Sequence, residues 1–259
     1  MLQLIMKNNV LDRNGLTEEQ FLGKYDPTIY PKGPYIAVDN LLFAIDELQS
    51  NNIRKLNKKR LQVLLVKRES HPFLGRWSLP GTFPSWTETL EEACIRSLKL
   101  KSHLENIHLE QLYTFSDPNR DPRTRIVATA YMALVNKSDY EHAELGDNAS
   151  WFTLSQDGEE IKLSNGDEVL VSGDIAFDHA KIIQYGLARL RNKIEYTDIA
   201  FSLLPKQFTL AELQQVYEII LDKEYSKANF QRKISDRVEP LQEYHKGGFR
   251  PALLYTHKK

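Results

Sequence analysis

Short runs of apolar residues, several of them alternating with polar residues, dominate the first two thirds of the chain. This period-two pattern is typical of strands that bury one or both faces. Residues 49–60 separate two of the runs, are basic and contain no acid, which predicts a hairpin loop. We interpret their charges as a solvated cluster rather than a contact with a phosphate backbone. The runs that predict strands are 36–48, 61–66, 108–115, 126–135, 151–154 and 168–172.

A helical period appears at 88–101 and again at 177–196. Thr87 is positioned to cap the first of these helices, and acids fill its first turn. The second helix carries apolar residues spaced four, three and four apart, which predicts a seam that packs on another helix. The residues of that seam are Ile183, Leu187, Leu190 and Ile194.

The last sixty residues follow a different order of elements. Thr209 caps a helix, Ser226 caps a second helix at 227–235, and strands are predicted at 238–244 and 252–255. Two helices followed by a β-hairpin form the outline of a winged helix-turn-helix, whose second helix enters a DNA groove. Donors suited to phosphates and base edges are Lys227, Asn229, Arg232 and Lys233 on that helix, with Lys246, Gly247, Gly248 and Arg250 in the wing.

Charge sharpens this picture. The 259 residues carry 34 Lys and Arg against 35 Asp and Glu, yet residues 227–259 hold 8 basic and 3 acidic side chains. A basic terminal segment on a more acidic body favours a polyanionic partner, although an ordinary solvated surface has the same composition. One cysteine excludes a disulfide framework, and no apolar stretch approaches the ~20 residues of a membrane helix. We therefore expect a cytoplasmic protein that does not contact membranes.

The segment around the first helix resembles the Nudix box, G-x(5)-E-x(7)-R-E-U-x-E-E-x-G-U with U aliphatic. Trp77-Ser78-Leu79-Pro80-Gly81 precedes Glu88 and Arg96 at the spacing of that box. In Nudix proteins, glutamates of the box hold divalent metals over a diphosphate, because a hard cation needs several carboxylate oxygens. The resemblance implies a Nudix-type mixed α/β sandwich.

The box is degenerate at the positions that matter for metal binding. The paired metal-binding glutamates correspond to Leu100 and Lys101; a lysine ammonium repels a cation, and a leucine donates nothing. We therefore expect no catalytic residues and no metal site, with Glu88 and Glu92 as residual candidate ligands. Glu92 has a structural interpretation as well, an i+4 ion pair with Arg96. The substituted positions are Thr82, Ser97, Leu100, Lys101 and His103.

Together the two halves resemble the Nudix-related transcriptional regulators, a family that includes repressors of NAD metabolism. Other motifs similar to that family are 113–122 (YTFSDPNRDP), 176–179 (AFDH) and 229–233 (NFQRK). The resemblance implies an α+β chain in which a Nudix-like domain senses a small molecule, often ADP-ribose and in some relatives a pentose such as arabinose. It further implies a homodimer that binds a double-stranded DNA operator. The expected divisions are an arm at 1–34, the Nudix-like domain at 35–175, a connecting helix at 176–198 and the winged helix at 199–259.

Candidates for the effector site come from the box, its lead-in strand and the polar loop that follows the 108–115 run. The loop arginines and aspartates either clamp a phosphate or pair with one another in solvent. Trp77 and Tyr113 either stack on a base or belong to the core. His179 is interpreted as a capping or core hydrogen-bonding histidine. The candidates are Arg68, Trp77, Glu88, Tyr113, Asp117, Arg120, Asp121 and Arg125.

Three functions remain open from the sequence. The first is a DNA-binding regulator with an inactive effector domain, which requires no cofactor. The second is a Nudix hydrolase that cleaves ADP-ribose or another nucleoside diphosphate derivative and requires Mg²⁺. The third is a small-molecule sensor that acts through a protein partner. Leu100 and Lys101 argue against the hydrolase, and the basic second helix of the terminal segment favours DNA over a protein partner.

Overall fold

A computed structural model of the chain describes residues 10–26, 33–48, 58–104, 107–136, 145–166, 168–245 and 251–258. The helices are α1 (Glu18–Lys24), α2 (Leu90–Ser102), α3 (His179–Tyr196), α4 (Leu210–Leu221) and α5 (Lys227–Ile234). The strands of the larger sheet are β1 (Tyr35–Leu48), β2 (Lys58–Lys67), β3 (Trp77–Ser78), β4 (Gly81–Thr82), β5 (Glu110–Phe115), β6 (Ile126–Val135), β7 (Ala149–Asp157), β8 (Glu160–Asn165) and β9 (Glu168–Val171). The smaller sheet contains β10 (Phe208–Thr209), β11 (Val238–His245) and β12 (Ala252–His257).

The larger sheet is mixed, with the order β5-β6-β1-β2-β7-β8-β9, while β3 pairs with β2 and β4 with β1. Strands β1 and β6 run parallel, and the other pairs are antiparallel. The predicted period of two is visible in β1, where Leu41 and Phe43 face α3 while Leu42 and Ala44 belong to a core on the opposite face. The fold is thus a sheet between helical layers, as the sequence predicted.

Helix α3 packs closely on β1. A Cβ added at Gly186 would lie 2.1 Å from Leu41 Cδ2, so a larger residue there would force the Leu41 side chain or the helix to move. The four residues of the predicted seam are all buried, and they belong to the same core as the apolar residues of α4 and α5. The seam prediction is therefore confirmed, and α3 joins the sheet to the terminal domain through one continuous core.

The terminal domain has the predicted order of two helices and a hairpin. Thr209 and Ser226 cap α4 and α5 as expected. Buried Leu213, Val216 and Phe230 hold the two helices together. The wing strands β11 and β12 are antiparallel: Val238 pairs with His257 at one end and His245 with Ala252 at the other. Their register shifts between Pro240 and Tyr244. The tip of the wing, which includes Lys246, Gly247, Gly248 and Arg250, lies outside the described residues.

Two details of the box helix differ from prediction. Helix α2 begins at Leu90 rather than Glu88, because Thr89 and not Thr87 is the N-cap: its hydroxyl accepts from Glu92 N, and Glu92 accepts from Thr89 N in return. The expected pair of Glu92 with Arg96 is therefore wrong. Arg96 instead binds Glu88, which precedes the helix.

Other segments were predicted incompletely. Strand β8 and the two-residue strands were missed, and the predicted 108–115 strand begins only at Glu110. The predicted loop at 49–60 lies mostly outside the described residues. At its described end, Lys59 and Arg60 already belong to β2 and form cross-strand ion pairs with Glu47 and Asp46, at 2.5 Å each. No helix in the described part is long and apolar enough to cross a membrane.

Candidate functional site

A cleft of about 260 Å³ opens where β1, β4, the end of α2, the loop after β5 and the start of α3 meet. Most of its polar lining is charged, and two phenylalanines complete its wall. The side chains that give the cleft its character are Asp39, Arg68, Phe83, Lys101, Arg120, Asp121, Arg123, Phe177 and His179.

Asp39, Arg120 and Asp178 form a nearly buried ionic network. Arg120 Nη2 donates to Asp39 Oδ2 at 3.0 Å, while its Nε and Nη2 bind both oxygens of Asp178 at 3.0 and 2.7 Å. A bidentate guanidinium fixes geometry as well as charge. The network therefore ties the loop after β5 to β1 and to the start of α3.

His179 completes this network. Its Nδ1 accepts the backbone N–H of Leu79 at 2.9 Å, and its Nε2 lies 3.4 Å from Asp39 Oδ1. Burial alone would raise the pKa of Asp39, but His179 and Arg120 outweigh burial and lower it to about 2. The expected core hydrogen-bonding role of His179 is confirmed.

Gly81 in β4 permits the close pairing that forms this wall of the cleft. A Cβ at Gly81 would lie 2.4 Å from Asp39 Oδ1 and 2.8 Å from the carbonyl oxygen of Val38. Any other residue would displace the Asp39 carboxylate from its partners.

Arginines and aromatic rings form another wall of the cleft. The guanidinium of Arg68 lies 4.7 Å from the centre of the Phe177 ring, and that of Arg123 lies 5.6 Å from the Phe83 ring. Arg123 also binds both oxygens of Asp121 at 3.0 and 2.8 Å. Burial, and next the charge of Arg123, lower the pKa of Arg68 to about 10, so it remains protonated at neutral pH. This wall can bind an anion and a flat ring together.

The residues at the degenerate positions of the box lie in different environments. Thr82 and Lys101 line the cleft, and the Lys101 ammonium donates to the Gly81 carbonyl oxygen. Leu100, in contrast, is 68% exposed, and Ser97 is buried. His103 is the C-cap of α2 and has a φ of 57°, which is the left-handed conformation. The Nudix box has glycine at this position, the residue that adopts this conformation most readily.

The residues present do not fit a divalent metal. Glu88 is bound by Arg96 at 2.6 and 2.8 Å, the Glu91 carboxylate accepts the hydroxyl of Tyr131 at 2.8 Å, and Glu92 caps α2. Among the described residues, no three His, Cys, Asp or Glu side chains converge as a metal site would require. The surviving acids of the box thus have structural partners.

The structure brings together three of the eight effector candidates: Arg68, Arg120 and Asp121 line the cleft. The other five do not. Trp77 packs on Phe152 and donates to Glu168 at 2.7 Å, and Tyr113 contacts Tyr185 on α3. Glu88 is paired with Arg96, Asp117 forms the turn before Arg120, and Arg125 donates to the carbonyl oxygen of Ser116.

Several cleft residues were not among the candidates, namely Asp39, Phe83, Phe177 and His179. Arg123 belongs to the polar loop whose arginines were expected either to clamp a phosphate or to pair with the loop aspartates, and it lines the cleft while paired with Asp121. Asp39 had a signal in the sequence, because it is an acid inside the apolar run 36–48 and a buried acid needs a partner. Phe83 had no such signal. Phe177 lies in the motif 176–179, but its neighbours in the cleft are far away in the chain, so the motif did not assign it to the cleft.

The second helix of the winged domain presents a polar outer face. Lys227, Asn229, Arg232 and Lys233 are exposed on α5, while Phe230 is buried beneath them. Arg232 Nη2 donates to Asn229 Oδ1 at 2.9 Å, so the two side chains form one donor surface. Lys233 is instead paired with Glu195 of α3 at 2.6 Å. The side chains of Asn229 and Arg232 thus lie together on the exposed face of α5.

Comparison with known families accounts for most of the chain. The NUDIX domain profile matches residues 52–171. The profile of the NrtR DNA-binding winged helix domain matches residues 200–257. Both profiles agree with the fold described above.

Individual proteins match over most of their length. An ADPR responsive transcriptional repressor NtrR of Acinetobacter baylyi is 35% identical over 93% of this chain and 89% of its own. The structure resembles a MutT/nudix family protein of Enterococcus faecalis (TM-score 0.71, 26% identity, 93% of this chain and 97% of that chain). It also resembles Shewanella oneidensis NrtR in complex with a 27mer DNA (TM-score 0.64, 29% identity, 86% and 93%). The chain therefore belongs to the family of Nudix-related transcriptional regulators that includes NrtR.

Proposed function

We propose that the chain is a DNA-binding transcriptional regulator whose Nudix-like domain senses ADP-ribose or a related nucleotide. The proposal of DNA binding rests on one observation: Asn229 and Arg232 form an exposed surface of hydrogen-bond donors on the second helix of a winged domain. These side chains offer the amide and guanidinium groups that read adenine and guanine edges in a major groove. A homodimer would present two such helices to a palindromic operator.

The charge of the cleft supports a phosphorylated effector over a free pentose. Four cationic side chains line it, Arg68, Lys101, Arg120 and Arg123. The carboxylates of Asp39, Asp121 and Asp178 balance three of these charges, so one positive charge is left over. An uncharged sugar needs hydroxyl-binding groups but no surplus of positive charge, whereas a diphosphate needs that surplus. The repressor from Acinetobacter, which responds to ADPR, supports the same choice.

Cleft and DNA-binding helix belong to one packed body. The start of α3 contributes Asp178 and His179 to the cleft region, and its last turn contributes Glu195 to the pair with Lys233 on α5. A ligand that binds one position of α3 more tightly than another would therefore also favour one orientation of α5. Such a difference in affinity between two states is what allosteric control requires.

The test is the response of a DNA complex to candidate effectors. A labelled duplex of the protein's own upstream region is bound in solution, and ADP-ribose, AMP and arabinose are then titrated while anisotropy is recorded. We expect ADP-ribose to change the affinity for DNA and arabinose to leave it unchanged. A response to arabinose alone would make the effector a pentose, and no response to any of the three would remove the sensor function.

A further inference from the structure

Helix α2 ends inside the cleft, and Lys101 in its last turn faces the cavity. The Lys101 ammonium donates to the carbonyl oxygen of Gly81 on β4. In the Nudix box this position belongs to one of the paired glutamates that hold a metal. The other position of the pair, Leu100, faces solvent. A positive charge therefore lies where Nudix hydrolases have a glutamate that binds a metal cation.

Lys101 and Arg68 are the two cations of the cleft that lack an acidic partner in the described part of the chain. Arg68 donates only to carbonyl oxygens there, those of Pro72 at 2.7 Å and Ser70 at 3.3 Å. The other two cleft arginines are each bound by aspartates. The carboxylates of Asp39 and Asp121 act on these two cations only from beyond ion-pair distance, so both charges remain available to a bound anion.

The two charges act on each other. Burial, and next the charge of Arg68, lower the pKa of Lys101 from its ordinary value, and the carboxylate of Asp39 partly opposes this. Two like charges that line one cleft form a favourable site for an anion with two negative groups. A diphosphate has that charge distribution.

We propose that Lys101 supplies to a bound nucleoside diphosphate the positive charge that a divalent metal supplies in Nudix hydrolases. This inference rests on the proposed function, because it concerns the same ligand. It adds that binding requires no metal and that Arg68 is the second phosphate-binding group. Because an ammonium cannot coordinate and activate water, the ligand is bound without being hydrolysed, as a sensor requires.

The experiment is calorimetric titration of the full-length protein with ADP-ribose, once with excess EDTA and once with excess Mg²⁺. We expect the two dissociation constants to agree within about threefold. Lys101→Met keeps most of the side-chain volume but removes the charge, and it should weaken binding by about 10-fold or more in both buffers. Lys99→Met removes a charge from the same helix outside the cleft and should bind as the wild type does.

Two more variants separate charge from folding. Lys101→Arg keeps the charge and should bind ADP-ribose in EDTA within about tenfold of the wild type. Lys101→Glu recreates a box glutamate and should bind poorly in EDTA. Circular dichroism and the melting temperature of each variant report whether the fold is intact.

The outcomes distinguish this inference from the function on which it rests. Wild-type binding that needs Mg²⁺, or a folded Lys101→Met variant that binds as tightly as the wild type, would overturn the role of Lys101 and leave the regulator function standing. A wild-type protein that binds no ADP-ribose in either buffer would overturn the proposed nucleotide effector, and the role of Lys101 with it.

Discussion

Lys233 Nζ on α5 lies 2.6 Å from Glu195 Oε2 in the last turn of α3. The same lysine lies 5.8 Å from the ring centres of both Tyr217 and Tyr225. Helix α3 begins at His179 beside the cleft, so its sixteen steps to Glu195 span about 24 Å. One helix thus contacts the cleft at its start and α5 at its end.

Loss of the Glu195 carboxylate should strengthen DNA binding without regard to sequence. In Glu195→Gln, Lys233 loses its ion pair and becomes available to a phosphate. We expect a few-fold gain in affinity for operator and random duplex alike, and a salt dependence steeper by about one unit of slope. Anisotropy titrations at several salt concentrations measure both quantities.

The control for that variant removes an equal charge far from α5. Glu159→Gln, at the β7–β8 turn, should leave the affinity and the slope as they are in the wild type. An unchanged salt slope in Glu195→Gln would mean that Lys233 does not reach phosphate even when released.

Arg232 should determine sequence preference. Arg232→Ala is expected to cost roughly 1–3 kcal/mol on the cognate duplex and little on random DNA, because a base contact is lost. Lys246→Ala in the wing serves for comparison, since loss of a phosphate contact weakens binding to all sequences alike. Equal losses on both duplexes for Arg232→Ala would assign this arginine to the backbone instead.

Gly81→Ala should disrupt the cleft from the side of β4. The added Cβ would lie 2.4 Å from Asp39 Oδ1, so the carboxylate or the strand must move. We expect a loss of about 1–3 kcal/mol in the free energy of unfolding, together with weaker ADP-ribose binding. Gly173→Ala has no heavy atom within 4 Å of its new Cβ and should change neither quantity. Chemical denaturation and calorimetry give the two readouts, and a Gly81→Ala variant as stable as the wild type would contradict the close packing of β4 on Asp39.

The stabilising effect of Asp39 should depend on pH in a defined window. Its pKa is lowered to about 2 in the folded protein, so the carboxylate stabilises the fold above its ordinary pKa of about 4, and this contribution is lost as the pH falls towards 2. Asp39→Asn should therefore cost about 2 kcal/mol at neutral pH and progressively less in acid. Denaturation series from pH 7 to pH 2 test this, with exposed Asp157→Asn as the control. A cost that stays constant over that range would exclude the ionic role of Asp39.

The purified protein should not hydrolyse ADP-ribose at an enzymatic rate with Mg²⁺ or Mn²⁺. Leu100 and Lys101 offer no oxygen to a metal, and the acids that remain in the box have other partners. Turnover near ~1 s⁻¹ or above, measured by product chromatography, would show that ligands elsewhere replace the missing pair.

The regular elements were predictable because their apolar period spans several residues. Strand β6 matches the prediction residue for residue, and α4 begins at the predicted cap. Strands β3 and β4 contain two residues each, and they exist only because β2 and β1 lie beside them in space. Such elements leave no periodic signal in the sequence.

The cleft was predictable only in part. The box alignment assigned Lys101 to a metal position, and Lys101 does line the cleft. Helical spacing favours Glu92 as the partner of Arg96, and only the actual start of α2, which leaves Glu88 outside the helix, decides for Glu88. Phe83 and Phe177 are 94 positions apart, and tertiary folding alone brings them to one wall.

The central claim is specific recognition of DNA under the control of a nucleotide. A mobility shift on the protein's own upstream region at physiological salt, with random duplex as competitor, tests that claim most directly. We expect a complex that withstands a large excess of random duplex and whose amount changes when ADP-ribose is added. A protein that binds its upstream region no better than random duplex, with or without ADP-ribose, would contradict it.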